Sequence, residues 1–146
     1  MNVTRVKFWR ATGLDPAGPC FTDTPEEQLR SGVAKYVEVY HCNAGHLGTT
    51  QVLADTNIFF NYKGKIQPNC DKGKDLGETA KCYHKACVHY WMDTVRIPDL
   101  YIAKSCTSYE SFADGLCENN ESCVVGYHNP GKARGKFYVS TEINTL

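Results

Sequence analysis

The chain has 146 residues, 42% hydrophobic and 22% charged, and its 16 basic and 16 acidic side chains leave no formal net charge. That is the composition of a globular chain of single-domain length, and without a basic run it offers no electrostatic footprint for nucleic acid. No apolar run approaches the roughly 18 residues of a spanning helix, so no transmembrane segment is expected.

In chain order, residues 3–9 read as a strand that delivers the turn Gly13-Leu14-Asp15-Pro16-Ala17-Gly18-Pro19. Gly13 supplies backbone freedom there, and Pro16 and Pro19 stop any helix. Thr24-Pro25-Glu26-Glu27 combines a cap, a proline at the first helical position and first-turn acids, which predicts a short helix to about Arg30. Residues 36–42 alternate aromatic and β-branched side chains around Glu38, as a second strand does. Residues 43–51 form a glycine-punctuated loop, and residues 57–62 a third strand. A helix is expected from about Tyr83 to Arg96, with Val88, Trp91, Met92 and Val95 on one stripe and Pro98 ending it. The remainder reads as loop, apart from a helical turn at 108–113 and a last strand at 136–141. No repeat, low-complexity tract or linker interrupts it.

The chain has eight cysteines, at 20, 42, 70, 82, 87, 106, 117 and 123. An even and high number points to disulfides and an oxidising, extracellular compartment. The tripeptides Asn2-Val3-Thr4 and Asn120-Glu121-Ser122 are compatible with secretion. Residues 1–7, however, contain neither the apolar core nor the cleavage site of a signal peptide. A secreted-looking body without an export signal suggests that the N-terminal part of the same domain is missing.

Asp15 on its turn and His84 at the expected start of a helix have the order of the last two members of a Ser…Asp…His triad. The serine of a Gly-x-Ser-x-Gly elbow is absent from these residues. Taken alone, Asp15-Pro16 reads as a turn and His84 as a structural histidine, and His41, His46, His89 and His128 keep that reading. Cys82, His84, Cys87 and His89 invite a zinc reading. On a helix His84 and Cys87 lie about 60° apart while the other two fall elsewhere, so four ligands cannot surround an ion, and no metal is expected.

Other ordered motifs join these. They are Tyr36-Val37-Glu38-Val39-Tyr40-His41-Cys42-Asn43-Ala44-Gly45, Gln67-Pro68-Asn69-Cys70, Cys82-Tyr83-His84 and Trp91-Met92-Asp93-Thr94-Val95. Cys106-Thr107-Ser108-Tyr109, Gly115-Leu116-Cys117 and Gly135-Lys136-Phe137-Tyr138 follow. In this order and spacing the chain resembles the secreted pancreatic-lipase-like family, and within it the arthropod phospholipases of the A1 type. Three positions depart from the family's pattern: Tyr83 stands for a serine, Ala86 for an arginine and Ile58 for a frequent aspartate.

The resemblance implies an α/β-hydrolase fold, here its C-terminal part over residues 1–146, with disulfide-tied loops. It implies that Asp15 orients His84, that His84 relays the proton of a serine outside the chain, and that no cofactor is needed. The substrate would be a lipid ester at a membrane or lipoprotein interface, the location extracellular, and this piece inactive by itself. The resemblance pairs Cys70 with Cys82 across a lid and Cys106 with Cys117. For the other four cysteines three connectivities are open, and Cys20–Cys42 with Cys87–Cys123 is taken as the working assignment. Eleven mostly polar residues, 71–81, lie between Cys70 and Cys82. So short a lid, with a short 43–51 loop, accompanies phospholipid rather than triglyceride substrates in this family. The rivals are a non-catalytic lipid-binding or storage protein on the same fold, against which the intact Asp15 and His84 count, and a small cysteine-rich binding module.

Overall fold

The computed structural model describes residues 6–21, 23–70 and 75–142. The first of the expected sequons, at Asn2, lies outside them. A mixed sheet has the strands β1 (Arg10–Leu14), β2 (Tyr36–His41), β3 (Thr56–Phe60), β4 (Ile102–Ser105), β5 (Ser122–Val124) and β6 (Gly135–Val139). Their spatial order is β1-β2-β3-β6-β4-β5. The first four in that order run parallel, while β4 is antiparallel to β6 and β5 to β4. Helix α1 (Leu76–Arg96) lies in the crossover between β3 and β6, and the short α2 (Tyr109–Ala113) follows β4. Every residue of β2 is buried, as expected of a strand covered on both faces.

The core gathers Tyr40, Ile58, Phe60, Phe137 and Val139 from the sheet with Ala86, Cys87 and Tyr90 from α1. Phe60 stacks on Tyr90 with ring centroids 5.0 Å apart, which seats the helix on the middle of the sheet. Ile58, where the family frequently has an aspartate, is simply one of these apolar core residues. A polar cluster lies inside as well. Buried Glu38 on β2 pairs with Arg10 of β1 and accepts from Thr12 Oγ1 at 2.7 Å. Arg10 also donates to the Gly126 and Tyr127 carbonyls, and Asn129 donates to Glu38, so the segment after β5 is drawn back onto β1 and β2.

The structure moves several expected boundaries. The first strand is Arg10–Leu14, after the expected 3–9, of which residues 3–5 lie outside the described part. Its pairing runs from Arg10↔Tyr36 to Leu14↔Tyr40, so β2 sets its length. Ala11 and Gly13 have little intrinsic strand preference, and pairing with a buried neighbour overrides it. The helix expected to about Arg30 is only a 3-10 turn, Pro25–Glu27.

Helix α1 begins seven residues before the expected Tyr83. Asp75 caps it, its Oδ1 accepting from the Gly77 and Glu78 amides at 2.8 and 3.1 Å. Its stripe is also displaced. Val88, Met92 and Val95 are 41%, 48% and 44% exposed, Trp91 of the stripe packs partly buried against the core, and the buried face is Ala86, Cys87, Tyr90 and Thr94. Strands β4 and β5 fall in a stretch that reads as loop. They are only four and three residues long, too short for a clear alternation.

Disulfides join Cys42 to Cys87, Cys70 to Cys82 and Cys106 to Cys117. The working assignment of the remaining four cysteines is therefore corrected. Cys42 directly follows β2, under the buried face of α1 that carries Cys87, and their Cα atoms are 5.8 Å apart, within bridging range. Cys20 is left exposed and Cys123 buried, both free. Burial and the neighbouring Glu38 push the Cys123 thiol up to about 12, so it stays protonated.

Buried His41 is stacked on Phe59. Burial lowers its pKa, against weaker opposite pulls from Asn57, Thr49 and Asp15. The ring is thus held neutral in the fold, while an unfolded chain takes up a proton below about pH 6.5. The stabilising contribution is complete above that pH and is lost as pH falls toward the lowered folded value. Thermal melts between pH 7 and 5 are expected to fall more steeply for the natural protein than for a His41→Gln variant. Equal slopes would contradict this.

Candidate active site

The parallel strands β1, β2, β3 and β6 all end on one edge of the sheet, where open α/β sheets place their ligands. Asp15 is the first residue after β1. Its φ of +50° is a left-handed conformation that non-glycine residues adopt rarely, and its amide donates to the Tyr40 carbonyl at 2.8 Å. The side chain is fully buried, and both carboxylate oxygens are engaged. Oδ1 accepts from the Cys42 and Asn43 amides at 2.8 and 3.0 Å. Oδ2 accepts from His84 Nδ1 at 2.7 Å.

A carboxylate that accepts from two backbone amides also accepts the Nδ1–H of His84, and among the described residues nothing is hydrogen-bonded to Nε2. The His84 side chain is 37% exposed, against 0% for Asp15. The ring therefore has one nitrogen anchored inside and a partly exposed body, the arrangement of an oriented general base. Cys87, one helical turn beyond His84, is bonded to Cys42, whose own amide holds Asp15. One covalent link thus ties the helix of the histidine to the strand end that fixes the acid.

His84 is not at the start of a helix. It is the ninth residue of α1, in the third turn, so the helix N-terminus has no direct hold on its charge. Of the four residues of the zinc reading, Cys82 and Cys87 are both in disulfides and neither is a thiolate. The expected 71–81 loop is also partly helix: α1 takes its last six residues, and 71–74 lie outside the described part. His46, His89 and His128 are exposed.

Two contributors were not singled out by reading the sequence. Gln67 is fully buried, and its Nε2 donates to the Cys42 carbonyl at 2.8 Å. Its Oε1 accepts from Asn61 and Tyr90, so it braces the ends of β2 and β3 against α1. The second is Gly48, in the loop that bridges Ala17 and Ala44. A Cβ on Gly48 would stand 2.3 Å from Asp15 Oδ1 and 2.6 Å from its Cγ. The loop's glycine pattern was visible, but the closeness of position 48 to the acid is a tertiary fact. Gly48→Ala must push the carboxylate by about 1 Å, a misplacement that costs on the order of 100-fold in turnover. Steady-state kinetics on the complete protein should show that loss with the fold retained, and an unchanged kcat would contradict it.

Residues 2–144 match the family described as Lipase. The chain belongs to the lipase family. The α/β-hydrolase fold is that family's, and the mixed sheet and three disulfides described above fit within it. Among curated relatives, pancreatic lipase-related protein 2 of Homo sapiens is 32% identical over 148 residues, covering 87% of this chain and 31% of the relative. Pancreatic triacylglycerol lipase of Equus caballus is 31% identical over 160 residues, with 90% and 34% covered. Lipase member H of Danio rerio is 38% identical over 110 residues, with 74% and 24% covered. The chain spans about a third of the length of the pancreatic relatives it matches.

Proposed function

We propose that this chain carries the acid and base of a serine carboxylic ester hydrolase acting on lipids, of the phospholipase A1 type. The serine and the oxyanion-hole amides would come from outside these 146 residues. The observation that carries the reading is the buried Asp15 carboxylate holding His84 Nδ1 at 2.7 Å. Membership of the lipase family supplies the substrate class.

In the reaction His84 Nε2 takes the proton of the serine as its oxygen bonds to the ester carbonyl carbon. Asp15 keeps the tautomer and stabilises the imidazolium that forms. The same proton passes to the departing alcohol as the tetrahedral intermediate collapses to an acyl-enzyme. Water, deprotonated by Nε2, then releases the fatty acid and restores the serine. Asp15 and His84 without the serine and its oxyanion hole lack two of the largest catalytic contributions, so these residues alone would be inactive.

The phospholipid preference rests on the short, polar connection between Cys70 and Cys82, too small to cover a wide apolar cleft. Three disulfides support an oxidising, extracellular location. The test is hydrolysis by the complete protein of phosphatidylcholine and of a triglyceride in matched emulsions. Faster release of the sn-1 acyl chain from phosphatidylcholine is expected. Hydrolysis of the triglyceride alone would overturn the subtype, and no hydrolysis of either would overturn the reading.

A further inference from the structure

A second concave site lies on the carboxyl edge of the sheet, away from Asp15 and His84. It is a cavity of 380 Å³ lined by Asn61, Tyr62 and Ile66 after β3, Pro68, Tyr109 and Phe112 of α2, and Ser140 and Glu142 after β6. Three of these eight are aromatic, and the Asn61 Oδ1 and Ser140 Oγ acceptors already take the Thr141 and Glu142 amides. Tyr62 and Tyr109 meet edge to face, with centroids 5.2 Å apart and planes at 70°. Tyr109 and Phe112 are 6.4 Å apart at 47°. Among the described residues the carboxylate of Glu142 forms no ion pair. Tyr62 already carries a cation on its ring: Lys63 Nζ lies 5.7 Å from the centroid, its charge offset by pairing with Glu110.

Ring faces are electrostatically negative, and several rings at differing tilts beside an uncompensated carboxylate make a cavity selective for positive charge. Its size is at the small end of ligand sites, about 300–1,000 Å³, which suits a head group and not a whole lipid. An acyl chain would have to desolvate Glu142 without compensation. A primary ammonium is strongly hydrated and needs acceptors on three sides. A quaternary ammonium is bulky, weakly hydrated and donates no hydrogen bond, so rings and one carboxylate meet its needs. We propose that this cavity binds quaternary ammonium groups of the choline type.

Its place fits a role beside the ester-cleaving site. Asp15 follows β1, while Tyr62 follows β3 and Glu142 follows β6, two and three strands away in the same parallel set. At about 4.8 Å per strand the two sites are roughly 10–14 Å apart along the edge. A head group held here and an ester held at His84 could belong to one phospholipid; that assignment of the source rests on the proposed function, whereas binding of the cation does not.

The experiment is calorimetric titration of the complete protein with phosphocholine, tetramethylammonium and 3,3-dimethylbutanol, the uncharged isostere of choline. Both cations are expected to bind saturably, about tenfold more tightly than the isostere. Tyr109→Leu should abolish that preference. Glu142→Gln, at an exposed position, should weaken the cations several-fold and leave the isostere and the thermal melt unchanged. No saturable cation binding, or equal binding of the isostere, would overturn the proposal. Sedimentation with phosphatidylcholine or phosphatidylethanolamine vesicles, using His84→Ala to prevent turnover, identifies the source. Preference for phosphatidylcholine supports the lipid head group, and equal binding supports a free small cation. A protein that binds the cations but hydrolyses no ester retains this site and loses the proposed activity.

Discussion

Asp15→Asn is expected to lower kcat for ester hydrolysis by the complete protein about 10⁴-fold, with KM nearly unchanged. The reason is the orientation of the new amide. Position 15 must still accept from the Cys42 and Asn43 amides, so the asparagine oxygen turns toward them and its NH2 toward His84. Nδ1 then becomes the acceptor, the ring proton moves to Nε2, and the nitrogen that should take the serine proton is blocked. Both backbone contacts survive, so the thermal melt should change little. Steady-state kinetics on a soluble short-chain ester, with a melt on the same sample, measures both. A loss below about tenfold would mean that Asp15 is a structural residue of the turn.

Replacing Cys42 and Cys87 together by serine should produce the largest loss of stability. The bridge closes a loop of sequence separation 45. On the chain-entropy account that is worth about 4 kcal/mol, a large share of the roughly 5–15 kcal/mol that stabilises a domain. Function should suffer beyond stability, because the link holds α1 to the strand end whose amide fixes Asp15. Denaturant melts are expected to show the stability loss, and kinetics at a temperature where the variant is still folded a lower kcat. Removing Cys70–Cys82, which closes a separation of 12, should cost less. The reverse ranking would contradict the central position of the Cys42–Cys87 bridge.

What could be read in advance depended on how local the determining physics is. Asp15 and His84 are 69 residues apart in sequence, and neither residue alone distinguishes a triad member from a turn acid or a core histidine. The ordered motifs around them suggest that role, and the structure places the two side chains 2.7 Å apart. Strand β2 is readable because aromatic and β-branched side chains flank Glu38 on both sides. Strand β1 was displaced because its small residues are recruited by β2 and not by their own preference. The start of α1 was signalled by Asp75 and Glu78, an acid pair at capping spacing, but Gly77 between them reads as loop.

The stripe of Val88, Met92 and Val95 has helical spacing, yet the helix turns the smaller Ala86, Cys87 and Thr94 to the sheet. Periodicity identifies a face without saying which neighbour lies against it. The partner of Cys42 was not legible, since four cysteines leave three pairings and only the packing of α1 on β2 selects one. Gly48 shows the same limit: nothing local tells that a carboxylate lies against its Cα.

The most direct measurement is phosphonylation of the complete protein by a reactive organophosphonate, followed by peptide mapping and repeated on His84→Ala. The account predicts one label per molecule, on a serine outside these 146 residues, and labelling slowed by orders of magnitude in the variant because the serine has lost its base. Equal labelling of both proteins, or a label on a serine within the chain, would contradict the assignment of His84 as that base.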